Sequence, residues 1–94
     1  MGRLTVRSIT DGKTYVADNS ISHHSEGYSG DAIELLGRFE DFYYDLMADK
    51  ENISLELEKL RDENKTKSLT FKELFTKKLI NNNFLIRLKN YGFK

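Results

Sequence analysis

A chain of 94 residues, 38% apolar and 32% charged, has room for one domain over 1–94 with a small core, and its six Phe and five Tyr exclude a disordered polar chain. The absence of cysteine excludes a disulfide framework and any thiolate metal site. Residues 1–20 hold no apolar leader and no run has the length of a membrane span, so the reading is a cytoplasmic protein with no membrane role.

Residues 3–17 read as a β-hairpin. Leu4-Thr5-Val6-Arg7 alternates apolar and polar, and Asp11-Gly12 is a strong two-residue turn signal. Folding about that turn opposes Val6 to Ala17 and Ser8 to Tyr15. Leu4, Val6, Tyr15 and Ala17 then share a face that a helix or a third strand has to cover. Residues 18–30, rich in Asn, Ser, His and Gly without a period, read as a loop.

A helix is expected over 31–49. Asp31 and Glu34 have the form of a capping box, and Ala32, Leu35, Leu36, Phe39, Phe42, Tyr43, Leu46 and Met47 make a wide apolar stripe. A second helix is expected over 53–64, capped by Asn52, with Ile53, Leu57 and Leu60 on one face. The polar connector Asn64-Lys65-Thr66-Lys67 leads to a third helix over 70–91. Its start is a capping box at Thr70-Phe71-Lys72-Glu73, with Leu69 and Leu74 spaced as a hydrophobic staple. Asn81-Asn82-Asn83 either breaks that helix or lies on its wet side, and Gly92 fits a C-terminal cap with Phe93 folding back. The fold class is therefore α+β, a hairpin followed by three helices, or four if the last is broken near 81–83.

The zero net charge hides a split. Glu26 to Glu63 carries twelve acids against four bases, and Lys65 to Lys94 eight bases against one acid. Such segments form a strong dipole if they lie apart and neutralise each other if they pack together.

Few constellations point to chemistry. His23-His24 has no i, i+4 partner and no cysteine to complete a metal set, so no metal or other cofactor is expected. Gly27-Tyr28-Ser29-Gly30 lacks the preceding strand and the following Lys-Ser/Thr of a phosphate loop. Glu34 and Arg38 have ion-pair spacing on a helix. The carboxylates read as a solvated face, without the burial that shifts a catalytic pKa. Ser/His combinations lack a nucleophile elbow. The expectation is a binding protein and not an enzyme.

Two surfaces compete for the role. Glu34, Glu40, Asp41, Asp45, Asp49 and Glu56 on acidic helices would imitate a phosphate backbone and meet a basic channel. Lys72, Lys77, Lys78, Arg87 and Lys89 would contact phosphates in a helix-turn-helix-like regulator, with Asn81 to Asn83 reading bases. Against the second, the link 64–68 is longer than a helix-turn-helix turn and the chain has no net positive charge.

Arg3-Leu4-Thr5-Val6-Arg7, followed by Ala32-Ile33-x-x-Leu36-x-Arg38-Phe39-Glu40-Asp41, resembles small accessory proteins encoded by phages and prophages of low-GC Gram-positive bacteria. These often begin Arg-Leu-Thr-x-Arg and continue to a helix with Leu-x-x-[Tyr/Phe]-Glu-Asp. The resemblance covers roughly the first half of the chain. It implies a bacterial host cell and an accessory role. Together with the acidic segment it gives an expected function: an anti-CRISPR-like inhibitor that binds a bacterial host protein, a CRISPR effector or another nuclease. The DNA-binding regulator stands as one alternative. A structural or assembly protein of a mobile element, a homodimer through its aromatic helix, stands as the other.

Overall fold

The computed structural model describes residues 2–93. The order is β1 (Thr5–Arg7), β2 (Thr14–Val16), a single 3-10 turn (Asp18–Ser20), β3 (Ser22–His24), β4 (Gly27–Ser29), α1 (Asp31–Asp62) and α2 (Leu69–Asn90). The backbone groups into two compact units, Met1–Phe42 and Tyr43–Lys94. Helix α1 contributes residues to both.

The first unit holds two separate two-stranded antiparallel sheets. In the first, Thr5 opposes Val16, Val6 opposes Tyr15 and Arg7 opposes Thr14. The expected pairing of Val6 with Ala17 is corrected by two residues. The cause is the turn: Ser8 and Lys13 close a four-residue loop, with Ser8 N–H donating to the Lys13 carbonyl (2.8 Å) and Gly12 N–H to the Ser8 carbonyl (3.0 Å). Two side chains hold that longer loop. Ser8 Oγ accepts from Thr10 N–H (3.2 Å) and Asp11 Oδ1 from Lys13 N–H (2.9 Å), local bonds that outcompete a tight Asp-Gly turn. A shift of two keeps each side chain on its face. Among the described residues no helix or third strand covers the Val6–Tyr15 face, however: Val6 and Tyr15 are 69% and 50% exposed.

The expected loop over 18–30 is a second hairpin. His23 opposes Tyr28 with ring centroids 4.7 Å apart, and Ser22 opposes Ser29. Its strands are three residues long and all but Gly27 are exposed, so hydrophobic alternation gave no signal; the cross-strand ring pair supplies what side-chain packing there is. Gly30 joins this hairpin to α1 at φ +123°, where a Cβ would stand 2.5 Å from the Ser20 carbonyl oxygen. Only glycine fits where these two stretches of backbone meet.

The expected break at Asp49 to Glu51 does not occur: α1 runs unbroken for 32 residues, and the two expected helices over 31–49 and 53–64 are one. Nothing in Asp49-Lys50-Glu51-Asn52 stops a helix, for there is neither Pro nor Gly. The core residues Leu46, Ile53 and Leu57, with half-buried Tyr43 and Leu60, advance in steps of three, four or seven straight through the polar stretch. Beyond its last residue, Asp62, the helix is closed at Asn64 (φ 56°), where Lys65 N–H donates to the Leu60 carbonyl (2.8 Å) and Asn64 N–H to that of Arg61 (3.0 Å), a Schellman cap.

In the second unit α2 folds back on the later part of α1. Arg61 stands over the Phe71 ring at 5.6 Å, and residues from the start of this α1 stretch share a groove with the end of α2. The half-buried positions of α2 are Phe71, Leu74, Lys78, Asn81, Leu85 and Leu88, with Asn82 beside them, a three-four repeat matching that of α1. Asn81 to Asn83 therefore neither break the helix nor all face water, and the α2 helix is single. The N-cap is Ser68, not Thr70: Ser68 Oγ accepts from Phe71 N–H (3.2 Å) and donates to the Lys65 carbonyl (2.7 Å). The expected C-terminal cap is present, Phe93 N–H reaching the Leu88 carbonyl (3.1 Å) across Gly92 at φ 91°. The architecture is thus α+β with two helices, in place of the three or four expected.

Two predictions follow from these local bonds. Ser68→Ala removes the acceptor at the start of α2 and costs about 1 kcal/mol, whereas Thr70→Ala costs a few tenths at most; thermal unfolding followed by circular dichroism separates them, and equal losses would return the cap to Thr70. At the first hairpin, the hydrogen bond from Tyr15 Oη, then that from Lys13 N–H, holds the Asp11 carboxyl below its ordinary pKa, and Asp11 holds the Tyr15 phenol above its own. The carboxyl bond supports the hairpin above the ordinary Asp pKa and is lost as pH falls through the depressed value. The phenol's share is lost as pH climbs through its raised value. Tyr15→Phe moves the Asp11 titration midpoint upward by NMR; an unmoved midpoint would remove Tyr15 as the cause.

Candidate functional site: an acidic face of the helical hairpin

Helical spacing decides which carboxylates can act together. In the second unit Asp45, Asp49 and Glu56 of α1 fall within about 40° around the axis and span about 16 Å along it. They flank the buried stripe of Leu46, Ile53 and Leu57 and are themselves exposed. Asn52, read from sequence as an N-cap, is instead inside the helix between Asp49 and Glu56. Asp49, Asn52 and Glu56 line a shallow depression together with Lys77 and Asn81 of α2.

In the first unit Glu34 and Asp41, seven residues apart on α1, share a side. Glu40, next to Asp41, points about 100° away. Of the six acidic site residues, Asp45, Asp49 and Glu56 group in the second unit and Glu34 and Asp41 in the first, while Glu40 joins neither set.

The electrostatics of the face are those of unpaired charge. Among the described residues the one ion pair is Lys65 Nζ to Glu63 Oε2 at 2.9 Å, which lowers the Glu63 pKa by its hydrogen bond and charge. Asp45, Asp49 and Glu56 take part in none, although Lys77 lines the same depression as two of them. The expected Glu34–Arg38 pair is likewise absent among the described residues. Exposed, unpaired carboxylates are acceptors for Lys, Arg and backbone N–H groups of a partner. No group of three or more His, Cys, Asp or Glu suited to a metal ion occurs among the described residues, and no helix there is long and apolar enough to cross a membrane.

The bases of α2 do not form a stripe. At about 100° per residue, Lys72, Lys77, Lys78, Arg87 and Lys89 spread around most of the circumference. Lys78 is half-buried in the three-four repeat, and Lys89 lines an apolar groove with Lys50, Met47 and Ile86. A recognition helix needs its basic and polar contacts on one face.

Sequence reasoning missed that groove, formed by Tyr43, Met47 and Lys50 with Leu85, Ile86 and Lys89. Its signal was available in the four-three spacing of 43, 47 and 50, hidden by the expected break at Asp49.

No family model, no curated protein and no solved structure matches the chain.

The scattered bases predict that the protein fails to retard a DNA duplex in gel-shift assays below about 1 µM at physiological salt, the tight end of ordinary non-specific binding. Retardation that weakens steeply with salt and is lost in Lys72→Ala/Arg87→Ala would restore the regulator reading.

Proposed function

We propose that the protein is a non-catalytic binding protein whose acidic helix face docks on a basic surface of a nucleic-acid-handling protein. By the resemblance of its first half, that target is a nuclease or CRISPR effector of a bacterial host and the protein is its phage-derived inhibitor. The observation that carries the reading is the alignment of Asp45, Asp49 and Glu56 on one side of α1 with no ion pair among the described residues. Surfaces that bind nucleic acid are built to attract closely spaced negative charge, and an aligned set of fixed carboxylates competes for them. Lys77 beside the face reduces the field there without abolishing it, since one ammonium stands against two carboxylates.

Association steered by such a face is fast at low salt and weakens as salt rises, because the charges are exposed. The test is affinity capture from a nuclease-treated Gram-positive lysate, followed by cleavage assays on any nuclease recovered. Reversing Asp45, Asp49 and Glu56 to Lys is expected to abolish capture and inhibition, while Glu40→Lys, off this face, leaves both within about threefold. A triple variant that still captures and inhibits as the parent does would exclude the acidic face.

A further inference from the structure

The second unit is short of burial for a helical hairpin. Leu46, Ile53 and Leu57 of α1 are buried, but α2 has no buried residue along its 22 positions. A helix in water owes most of its stability to a packed apolar face, and here Leu85 and Leu88 are only half covered.

On one side the two helices leave a groove of about 900 Å³. Its floor is apolar, with Tyr43 and Met47 from α1 and Leu85 and Ile86 from α2, and Lys50 and Lys89 also line it. None of its described lining residues is a carboxylate. Ile86 is 57% exposed and Met47 38%. The apolar row continues along α2 through Leu79 and Phe75, 51% and 40% exposed, which fall within about 40° of Ile86 around the axis. Lys50 occupies a step of the α1 repeat that core residues fill on either side, at Leu46 and Ile53. The pattern therefore places an ammonium where a self-sufficient hairpin would place an apolar side chain.

We propose that this groove takes an amphipathic helix of a partner protein, completing a three-helix bundle. The partner helix carries apolar residues at i, i+3 or i+4, and i+7 for the floor and Glu or Asp on its flanks for Lys50 and Lys89. Charge decides against a second copy. A two-fold dimer sets the same patch on itself, so the lysines lining one groove would meet those lining the other, and no lining residue of either is a carboxylate. An acid-flanked helix answers both the exposed apolar row and the unmatched ammonium groups. The groove shares no lining residue with the depression beside the acidic face, so this inference stands independently of that reading.

The test uses the full chain and a fluorescent synthetic peptide of about five helical turns, Leu on one face and Glu on its flanks, beside the same peptide with Lys for each Glu. Anisotropy titrations are expected to show the Glu peptide binding at least about tenfold more tightly than the Lys peptide. Lys50→Glu/Lys89→Glu is expected to reverse that preference, which a misfolded variant would not do. Ile86→Asp weakens both peptides while circular dichroism stays that of the parent. Equal binding of the two peptides, or of neither, would overturn the proposal. So would a dimer in sedimentation equilibrium that Ile86→Asp dissolves, because the groove would then belong to a second copy.

Discussion

The continuity of α1 is the constraint on which the second unit depends. Within the second unit an α-helix that runs unbroken from Tyr43 to Asp62 holds its side chains in regular phase. The apolar residues at 43, 46, 53, 57 and 60 therefore form one seam although a polar stretch lies across them. That phase puts Asp45, Asp49 and Glu56 on a common side and Lys50 on the seam itself. Had the chain broken at Asp49, neither the acidic alignment nor the groove lined by Lys50 would follow. Two Schellman caps and the Ser68 bond fix where the helices stop and restart, and so set which turn of α2 meets which turn of α1.

Much of this was legible in residues, and what was not has identifiable causes. The first hairpin, the polar connector and the Gly92 cap were readable because turn and cap residues act locally. The register of that hairpin was not, since Asp11-Gly12 signals a tight turn while Ser8 and Asp11 hold a wider one by bonds that composition does not display. The second hairpin was invisible for a different reason: Ser22-His23-His24 and Gly27-Tyr28-Ser29 bury almost nothing. Its energetics lie in backbone pairing and one His–Tyr contact. Thr70 outranked Ser68 as a cap because Glu73 completes a motif, whereas the bonds actually formed need only an oxygen three residues before an orphan N–H. Of the acidic residues, sequence supplied the set but not the grouping. The grouping is a matter of helical phase, and the phase was lost once α1 was read as two helices.

The polar residues inside the helical repeat bear on specificity. Lys78 and Asn81 on α2 take steps that Phe71, Leu74, Leu85 and Leu88 otherwise fill, and Lys50 does the same on α1. Each lowers the burial the hairpin gains. Polar residues at such positions are known to fix register and partner number at a cost in stability. Here they lie mid-seam, with apolar residues toward both ends. Register is then set by the ends, and the middle carries groups whose hydrogen-bonding capacity is best met by water or by another chain.

The charge split takes a definite form in this unit. Overall neutrality comes from an acid-rich α1 set against a base-rich α2, yet at the level of side chains the two are not cross-linked, the one ion pair among the described residues lying in the connector. Exposed pairs are worth little, so leaving these charges unpaired sacrifices little stability. It leaves two chemically distinct sides. One presents carboxylates; the other presents apolar side chains together with the ammonium groups of Lys50 and Lys89. Burial of apolar area is the dominant favourable term in most association, so the exposed apolar side chains of the groove set its affinity and its ammonium groups the choice of partner. A helix with an apolar face and acidic flanks satisfies both chemistries of the groove on a single surface.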